Sequence, residues 1–396
     1  MGMFDIKAVK SLTRPIAGYT RFNEPKLIRG GREYFSCLKE IIDNAIYTIH
    51  FHVYIFDEDE TGRMVGDALK AAAQRGVKVF MLLDGYASKD LSAEFRDSLR
   101  SAGIFFRYFE PVLRTKTFYF GRRLHHKILI ADAYHCLVGG INISNKYNDI
   151  ADDPAWLDWA LYANGDIAVE LQKICTRLFT RSSVKAARLL SLPRIENFVR
   201  NQCFIRARRN DWVHRKTQVS SSYYEMLRNA KERITIMSSY FLPGYNIRKQ
   251  LAKAASRGVK ITLILAGSSD IRLAKHAERF IYRWLLRHNI RILEYQHSVL
   301  HGKMATYDCK WVTIGSYNVN NISAFASIEL NLDVLDTEFA QHVDDRMKKV
   351  LTECVEITED IYKTQFSLFG RFIQWISYNT VKFLFYIFTF YFKQRE

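Results

Sequence analysis

The chain lacks the residue pairings that mark a disulfide or zinc scaffold: its six cysteines, Cys37, Cys136, Cys175, Cys203, Cys309 and Cys354, are scattered and form no CxxC. In 396 residues that scatter reads as free thiols in a reducing compartment, with no paired ligand spacing for structural zinc. The amino terminus, Met1-Gly2-Met3-Phe4-Asp5-Ile6-Lys7, has no apolar run behind its first basic residues and no Ser or Thr at position six. A secretory signal and a myristoylation site are therefore not expected, and the folded body is expected in the cytosol. Negative charge is also in deficit. Asp and Glu number 41 against 58 Lys and Arg, a formal charge of +17, which favours an anionic partner, nucleic acid or an acidic leaflet. With 48% hydrophobic and 25% charged residues the composition is that of a globular chain with one large core or two ordinary ones, which excludes disorder as the default.

What is present is an internal repeat. Ile46-Tyr47-Thr48-Ile49 resembles Arg233-Ile234-Thr235-Ile236, Arg75-Gly76-Val77-Lys78 returns as Arg257-Gly258-Val259-Lys260, and His125-x-Lys127 returns as His301-x-Lys303. The first copy has a β-rich run from Ile46 to Phe56, a helical stretch from Arg63 to Gln74 broken at Gly76, and a continuous apolar run from Val77 to Leu83. A continuous apolar strand after a helix points to a parallel sheet covered on both faces. The second copy repeats the pattern with Ile234 to Met237, Ile247 to Ser256 and Val259 to Leu265. The expected fold is α/β, two pseudo-symmetric lobes, each a mostly parallel β-sheet flanked by helices, with the functional site between them. The expected divisions are an amino-terminal extension 1–24, a first lobe 25–185, a basic linker 186–214 with Pro193, Arg206, Arg208 and Arg209, a second lobe 215–350, and an aromatic carboxy-terminal segment 351–396.

The third anchor carries the chemistry. His125-His126-Lys127-Ile128-Leu129-Ile130-Ala131-Asp132 is followed after six residues by Gly139-Gly140-Ile141-Asn142. His301-Gly302-Lys303-Met304-Ala305-Thr306-Tyr307-Asp308 is followed at the same spacing by Gly315-Ser316-Tyr317-Asn318. One copy is suggestive; two with matching tails are not expected by chance. On a strand, His and Lys two residues apart share a face and point at one ligand. The Gly pair permits a tight turn or a close backbone approach to that ligand, and Asn supplies amide donors. Two imidazoles, two ammonium groups and two amides in one cleft suit a phosphodiester. One neutral His attacks phosphorus, the other, protonated, serves the leaving oxygen, and Lys and Asn stabilise the non-bridging oxygens, so neither metal nor cofactor is needed.

These segments resemble the paired HKD motifs of the phospholipase D superfamily, and the likeness spans nearly all of both lobes. The resemblance implies that His125 or His301 is the nucleophile, with His125 favoured because the copy nearer the amino terminus usually attacks in the family. It also implies a carboxylate after each motif to orient a catalytic imidazole: Asp158 fits in the first lobe, within Trp156-Leu157-Asp158-Trp159, and Glu329 in the second, within Glu329-Leu330-Asn331. The implied catalytic set is thus His125, Lys127, Asp132, Asn142, Asp158, His301, Lys303, Asp308, Asn318 and Glu329. Gly140 against Ser316 departs from strict repetition by one hydroxyl.

Tyr54 to Gly62, Ser239 to Pro243 and Glu294 to His297 look similar to segments of bacterial cardiolipin synthases, particularly the form without amino-terminal membrane helices. That likeness implies phosphatidyl transfer from phosphatidylglycerol to a second phospholipid. Both motif aspartates are present, unlike in the tyrosyl-DNA phosphodiesterase branch, and both copies share one chain, unlike in the short dimeric nucleases. The motif alone leaves open a lipid hydrolase or a nuclease of the superfamily. From another class comes an inactive membrane-binding protein, against which two intact motifs argue. Between Phe366 and Phe392 twelve residues are aromatic, with Arg371, Lys382, Lys393 and Arg395 interspersed or flanking. Lys382 interrupts the run, so an interfacial anchor is expected ahead of a membrane-crossing or core-packing helix. A basic amphipathic stretch from Ile271 to His288 is a candidate for anionic lipid, and His50 and His52 share one strand face near the expected pocket. The expected partners are phospholipid substrates and an anionic membrane surface rather than nucleic acid, with the chain a monomer on the cytoplasmic face of the inner membrane.

Overall fold

The computed structural model describes residues 16–111, 122–150, 154–320, 323–324, 327–365 and 367–393. Most of the expected extension 1–24 lies outside the described residues. Its end opens the first lobe as β1 (Thr20–Arg29), followed by α1 (Arg32–Asn44), β2 (Thr48–Val53), α2 (Glu60–Gln74), β3 (Lys78–Asp84), α3 (Ala93–Ser101) and β4 (Phe105–Phe109). Next come β5 (Arg123–Leu124), β6 (Lys127–Ala131), β7 (His135–Gly139), β8 (Trp159–Gly165) and α4 (Asp166–Thr180). The sheet runs β4-β3-β2-β6-β7-β8-β1.

After α5 (Ser183–Leu190) the second lobe repeats the plan. It comprises β9 (Gln202–Asp211), β10 (Lys216–Thr217), α6 (Gln218–Asn229), β11 (Arg233–Ser238), α7 (Tyr245–Ser256), β12 (Lys260–Ala266), α8 (Arg272–Arg287), β13 (Arg291–Tyr295), β14 (Met304–Tyr307), β15 (Trp311–Gly315) and β16 (Ser327–Leu335). The tail adds α9 (Thr337–Leu351), β17 (Cys354–Glu356), α10 (Glu359–Gln365) and α11 (Leu368–Lys393). Its sheet runs β17-β13-β12-β11-β14-β15-β16-β9-β10.

Within each sheet, parallel pairing links the strands joined by helices, β2, β3 and β4 in one lobe and β11, β12 and β13 in the other, and a short parallel pair of β5 with β16 crosses between the lobes. Where the apolar runs predict a mostly parallel sheet, the strands that carry the motifs are antiparallel. The cause is local: after β6 the chain turns at once through Asp132 and Ala133, and after β14 through Asp308 and Cys309, all four at φ between 49° and 55°. Consecutive left-handed residues make the tight turn whose twist suits an antiparallel hairpin, and Asp is among the few residues that tolerate that conformation.

Two further differences bear on the site. The segment 186–214, expected as a linker, contains α5 and the ten-residue strand β9, which pairs with β16 from Phe204↔Leu335 to Asn210↔Glu329 and meets β1 at Thr20↔Ile205. Its arginines are structural: Arg206 holds Asp333 at 2.9 Å and Glu225, and Arg208 holds Glu225 at 3.1 Å. The first repeat anchor also shifts. Thr48 and Arg233 are equivalent, each opening its strand opposite the Lys of Arg-Gly-Val-Lys and accepting from the motif Asp N–H, so Ile49 matches Ile234. The likeness read from sequence is two residues out, and a slip of two leaves every side chain on its proper face.

One core joins the lobes. Ile128, Val138 and Leu161 of the first lobe and Met237, Ile314, Leu330 and Leu332 of the second are buried in one cluster. Leu330→Ala should therefore cost about 2–5 kcal/mol and unfold both lobes in a single cooperative transition. Denaturant titration followed by circular dichroism checks this, and separate transitions for the two lobes would contradict a shared core.

Candidate active site

Each motif histidine is stitched by its backbone to the opposite lobe. His125 and His126 both donate N–H to the carbonyl of Ile328 in β16, at 3.0 and 3.1 Å. His301 and Gly302 both donate to the carbonyl of Leu157, at 2.7 and 2.9 Å. The residue after each acceptor is a carboxylate, so the same stitch that fixes the histidine backbone delivers an acid to its ring. His125 Nδ1 lies 2.9 Å from Glu329 Oε2, and His301 Nδ1 lies 2.6 Å from Asp158 Oδ2. The two acids have thus exchanged lobes relative to the order in which they follow the motifs: Asp158 serves the second histidine and Glu329 the first.

The lysines lie beneath the rings. Lys127 donates to the His125 carbonyl at 2.6 Å and sits 5.1 Å from the Tyr54 ring centroid, while the Tyr54 ring packs 4.8 Å from His125. Lys303 Nζ donates to the His301 carbonyl, lies 2.9 Å from His301 Nδ1 and 4.0 Å from Asp158. Burial pushes Lys127 down to about 7, with the Lys303 charge adding to the effect, and pushes Lys303 down to about 8 against the pull of Asp158 and Glu329. Burial raises Asp158 to about 6, and lowers His125 against the opposing pull of Glu329. Burial, then Lys303 and Lys127, hold His301 well below the usual imidazole range. Charges of both half-sites act on one another, as one shared cleft requires.

The amides are only partly given over to the cleft. Asn142 Oδ1 accepts from Ile55 N–H at 3.1 Å and its Nδ2 donates to the Tyr147 hydroxyl at 2.9 Å, while Asn318 Oδ1 accepts from Ser239 at 2.7 Å. The glycines make room for protein rather than ligand: a Cβ on Gly140 would stand 2.6 Å from both Asp158 oxygens, and one on Gly139 2.6 Å from the Trp159 carbonyl. At the position of Gly140 the second lobe has Ser316, whose hydroxyl donates to Glu329 at 2.5 Å.

Asp132 and Asp308 lie outside the cleft, and this corrects their place among the implied catalytic residues. Asp132 accepts from the N–H groups of Ile46, Tyr47 and Thr48 at 2.7–2.8 Å. Asp308 does the same for Lys231, Glu232 and Arg233 at 2.8–2.9 Å. Each clamps the start of a neighbouring strand, so their presence in the motif is explained by folding. His50 and His52 are fully buried; His52 Nδ1 meets His126 Nε2 at 3.3 Å and His50 Nε2 meets Thr176 at 3.2 Å, behind the site rather than lining it. In α8, Lys275 and Arg279 are bound to Glu294, leaving Arg272, Arg283 and Arg287 exposed. Tyr54, Tyr147, Ser239 and Ser316 join the site without belonging to the motif residues. Of these, Ser316 is signalled in the sequence as a departure from exact repetition, Tyr54 and Ser239 open segments that resemble cardiolipin synthases, and Tyr147 carries no signal.

Residues 38–174 and 223–351 match the family described as "Cardiolipin synthase, PLD-like domain". The chain belongs to this phospholipase D-like cardiolipin synthase family. It is 33% identical over 344 residues to cardiolipin synthase B of Escherichia coli strain K12, covering 85% of this chain and 83% of that one. It is 29% identical over 349 residues to cardiolipin synthase 2 of Bacillus anthracis, covering 85% and 66%. In fold it is similar to phosphatidylserine synthase of Haemophilus influenzae Rd KW20, with a TM-score of 0.71, 13% identity and 92% and 95% of the two chains covered. It is also similar to polyphosphate kinase from Porphyromonas gingivalis, with a TM-score of 0.58, 18% identity and 85% and 49% covered. Family membership carries the activity class, that of a cardiolipin synthase-like phosphatidyltransferase.

The position of Asp132 separates folding from chemistry. Asp132→Ala should lower stability by about 2–4 kcal/mol by orphaning three backbone donors, while kcat measured well below the melting midpoint stays within about threefold of the native value. Thermal melts and steady-state rates on the same preparation check both halves.

Proposed function

We propose that the protein joins two phosphatidylglycerol molecules at a membrane surface through a phosphatidyl-histidine. His125 Nε2 attacks phosphorus of the donor, the bond to the glycerol oxygen breaks, and His301 delivers the proton to that oxygen. In the second half, His301 takes the proton from a hydroxyl of the acceptor as its oxygen bonds to phosphorus and the phosphorus–nitrogen bond opens. Cardiolipin leaves and His125 is restored. Lys127 and Lys303 stabilise the non-bridging oxygens, and Glu329 and Asp158 hold each imidazole with its Nδ1 proton facing the acid. The observation that carries this reading is the exchange of carboxylates between lobes, which aims both reacting nitrogens into one cleft. The experiment is incubation of the purified chain with phosphatidylglycerol vesicles, with lipid products followed by mass. Cardiolipin supports transfer, phosphatidic acid would show water in the acceptor role, and absence of both would defeat the lipid reading. His125→Ala and His301→Ala should each lower turnover by at least about 10³-fold.

The lipid surface enters through α11. Its inward side carries buried Gln374 and Ser377 and the contact of Tyr378 with Phe280 of α8, ring centroids 4.7 Å apart. Its outward side exposes Leu368, Phe369, Phe372, Trp375, Ile376 and Phe383. An outward side this rich in apolar side chains, with Asn379, Thr380 and Lys382 exposed among them, suits the boundary between headgroups and acyl chains. Among the described residues no helix is long and apolar enough to cross a membrane. Phe366 and the side chains of 386–392 in the aromatic run lie outside the described residues.

Two measurements follow. The pH dependence of kcat/KM, which reports the free enzyme, should be bell-shaped. As pH falls through about 6 Asp158 gains a proton and no longer anchors His301, and as pH rises through about 7 to 8 Lys127 and Lys303 lose theirs. A rate still climbing at pH 9 would remove the ammonium groups from the proposed role. For the tail, Phe372→Ser combined with Trp375→Ser should weaken sedimentation with anionic vesicles about tenfold or more, by removing two interfacial aromatics. Sedimentation equal to that of the native chain would count against α11 as the anchor.

A further inference from the structure

The two half-sites are near copies, yet their reacting nitrogens are not in equal surroundings. With Nδ1 of each ring on its carboxylate, Nε2 is the atom left to act. Nε2 of His301 lies 3.4 Å from the hydroxyl of Tyr147, whose ring packs 5.2 Å from the imidazole. That hydroxyl also receives Asn142 Nδ2 at 2.9 Å, so its oxygen is occupied as an acceptor and its own proton points to His301. Nε2 of His125 has no partner among the described residues, and its side chain is 17% exposed against 9% for His301. Tyr147 stands five residues after Asn142; five residues after Asn318 stands Ser323. This position of the repeat therefore carries a phenol in one half and none in the other, and the Tyr54 ring beside His125 packs 4.8 Å from it without a hydrogen bond to Nε2 among the described residues. Ser323 is buried and its N–H bonds to Asn320 within its own lobe.

We propose that Tyr147 is the positioning residue that divides labour between the two histidines, committing His301 to proton transfer and leaving His125 to attack phosphorus. This rests on the phosphatidyl-transfer reading and deepens it. A hydroxyl donating to neutral His301 stabilises the neutral ring and makes the protonated ring a stronger acid. As the phosphorus–oxygen bond to glycerol breaks and the phosphorus–nitrogen bond to His125 forms, His301 gives its Nε2 proton to the departing oxygen. The phenol, its oxygen still held by Asn142, then donates to the neutral ring. In the second half-reaction the same ring takes the acceptor's hydroxyl proton and gives up the hydrogen bond from the phenol. Burial raises the Tyr147 phenol and so keeps its proton in place throughout.

The test uses the full chain with phosphatidylglycerol vesicles. Tyr147→Phe removes one oxygen and should lower kcat about tenfold with KM changed less than about twofold. In the enzyme–substrate complex the phosphodiester anion holds the lysines charged and favours the protonated ring, so the alkaline limb of kcat follows loss of the His301 proton and should move up by about 0.5–1 pH unit. Independently of that variant, native enzyme quenched in base during turnover, digested and mapped by mass should carry the phosphatidyl group on His125. An unmoved limb, with or without a slower kcat, reduces Tyr147 to packing and overturns the proposal, as does an adduct on His301. A native chain that turns over no phosphatidylglycerol defeats the reading beneath it, and the proposal falls with that reading.

Discussion

The exchange of carboxylates across the lobe boundary is the constraint on which the rest of the structure depends. An imidazole that must attack or donate through Nε2 needs its Nδ1 proton held by an acceptor of fixed direction. Both acceptors here come from the opposite lobe, 204 residues away in sequence for His125 and 143 for His301. Backbone bonds from both motif histidines to Ile328 and Leu157 put those acids in range. Neither lobe can complete its own histidine, so the site exists only when both are folded and docked. The shared apolar cluster beneath the cleft serves this requirement, and β9 pairs with β16 to anchor the strand that bears Glu329.

The docking concentrates charge where water is scarce. Two ammonium groups, two imidazoles and two carboxylates share a buried space, and burial alone would strip the lysines of their protons. Asp158 and Glu329 oppose that loss, so each acid both orients a ring and keeps an ammonium group charged. A phosphodiester entering such a cleft supplies the anion the lysines lack, and the interaction strengthens as charge grows on the non-bridging oxygens. The cost of burying these charges together is thereby offset selectively as charge develops on the phosphodiester.

The doubled motif made the chemistry legible through its repeated spacing, although the expected strands begin only at Lys127 and Met304 and leave His125 and His301 in the segments just before them. His125 with Lys127 and His301 with Lys303 needed no tertiary knowledge to be paired, and the α/β repeat was legible from helices broken at Gly76 and Gly258 before apolar strands. Which acid serves which histidine was not legible, since that contact is set by how lobes dock and not by order along the chain. Asp132 and Asp308 illustrate the same limit: their spacing in the motif does not tell that each sits at a left-handed turn and binds three backbone donors of a neighbouring strand. The arginines of 186–214 looked like a linker because charge masks the alternation of a strand whose neighbours are Asp333 and Glu225. Tyr147 was silent, being an ordinary aromatic until the fold brought it to His301.

Duplication makes two equal half-sites, but the reaction needs an attacker and a proton carrier, so something must break the symmetry. The departures from repetition cluster at that task. Ser316 against Gly140 gives Glu329, and through it His125, a hydroxyl partner that Asp158 replaces with the Trp159 N–H at 2.7 Å. Behind His125 stand His126 and His52, where the other half-site has Gly302 and Met237, so the packing behind the two rings differs as well. α11 is a third departure, an element with no counterpart in the first lobe, and it packs on α8 of the second lobe with its aromatic side outward. In the proposed reading that side meets lipid, so the second lobe carries a membrane contact that the first does not repeat. On that proposal the asymmetry of membrane contact and the asymmetry around the two imidazoles act together, since donor and acceptor headgroups would meet histidines in unequal surroundings.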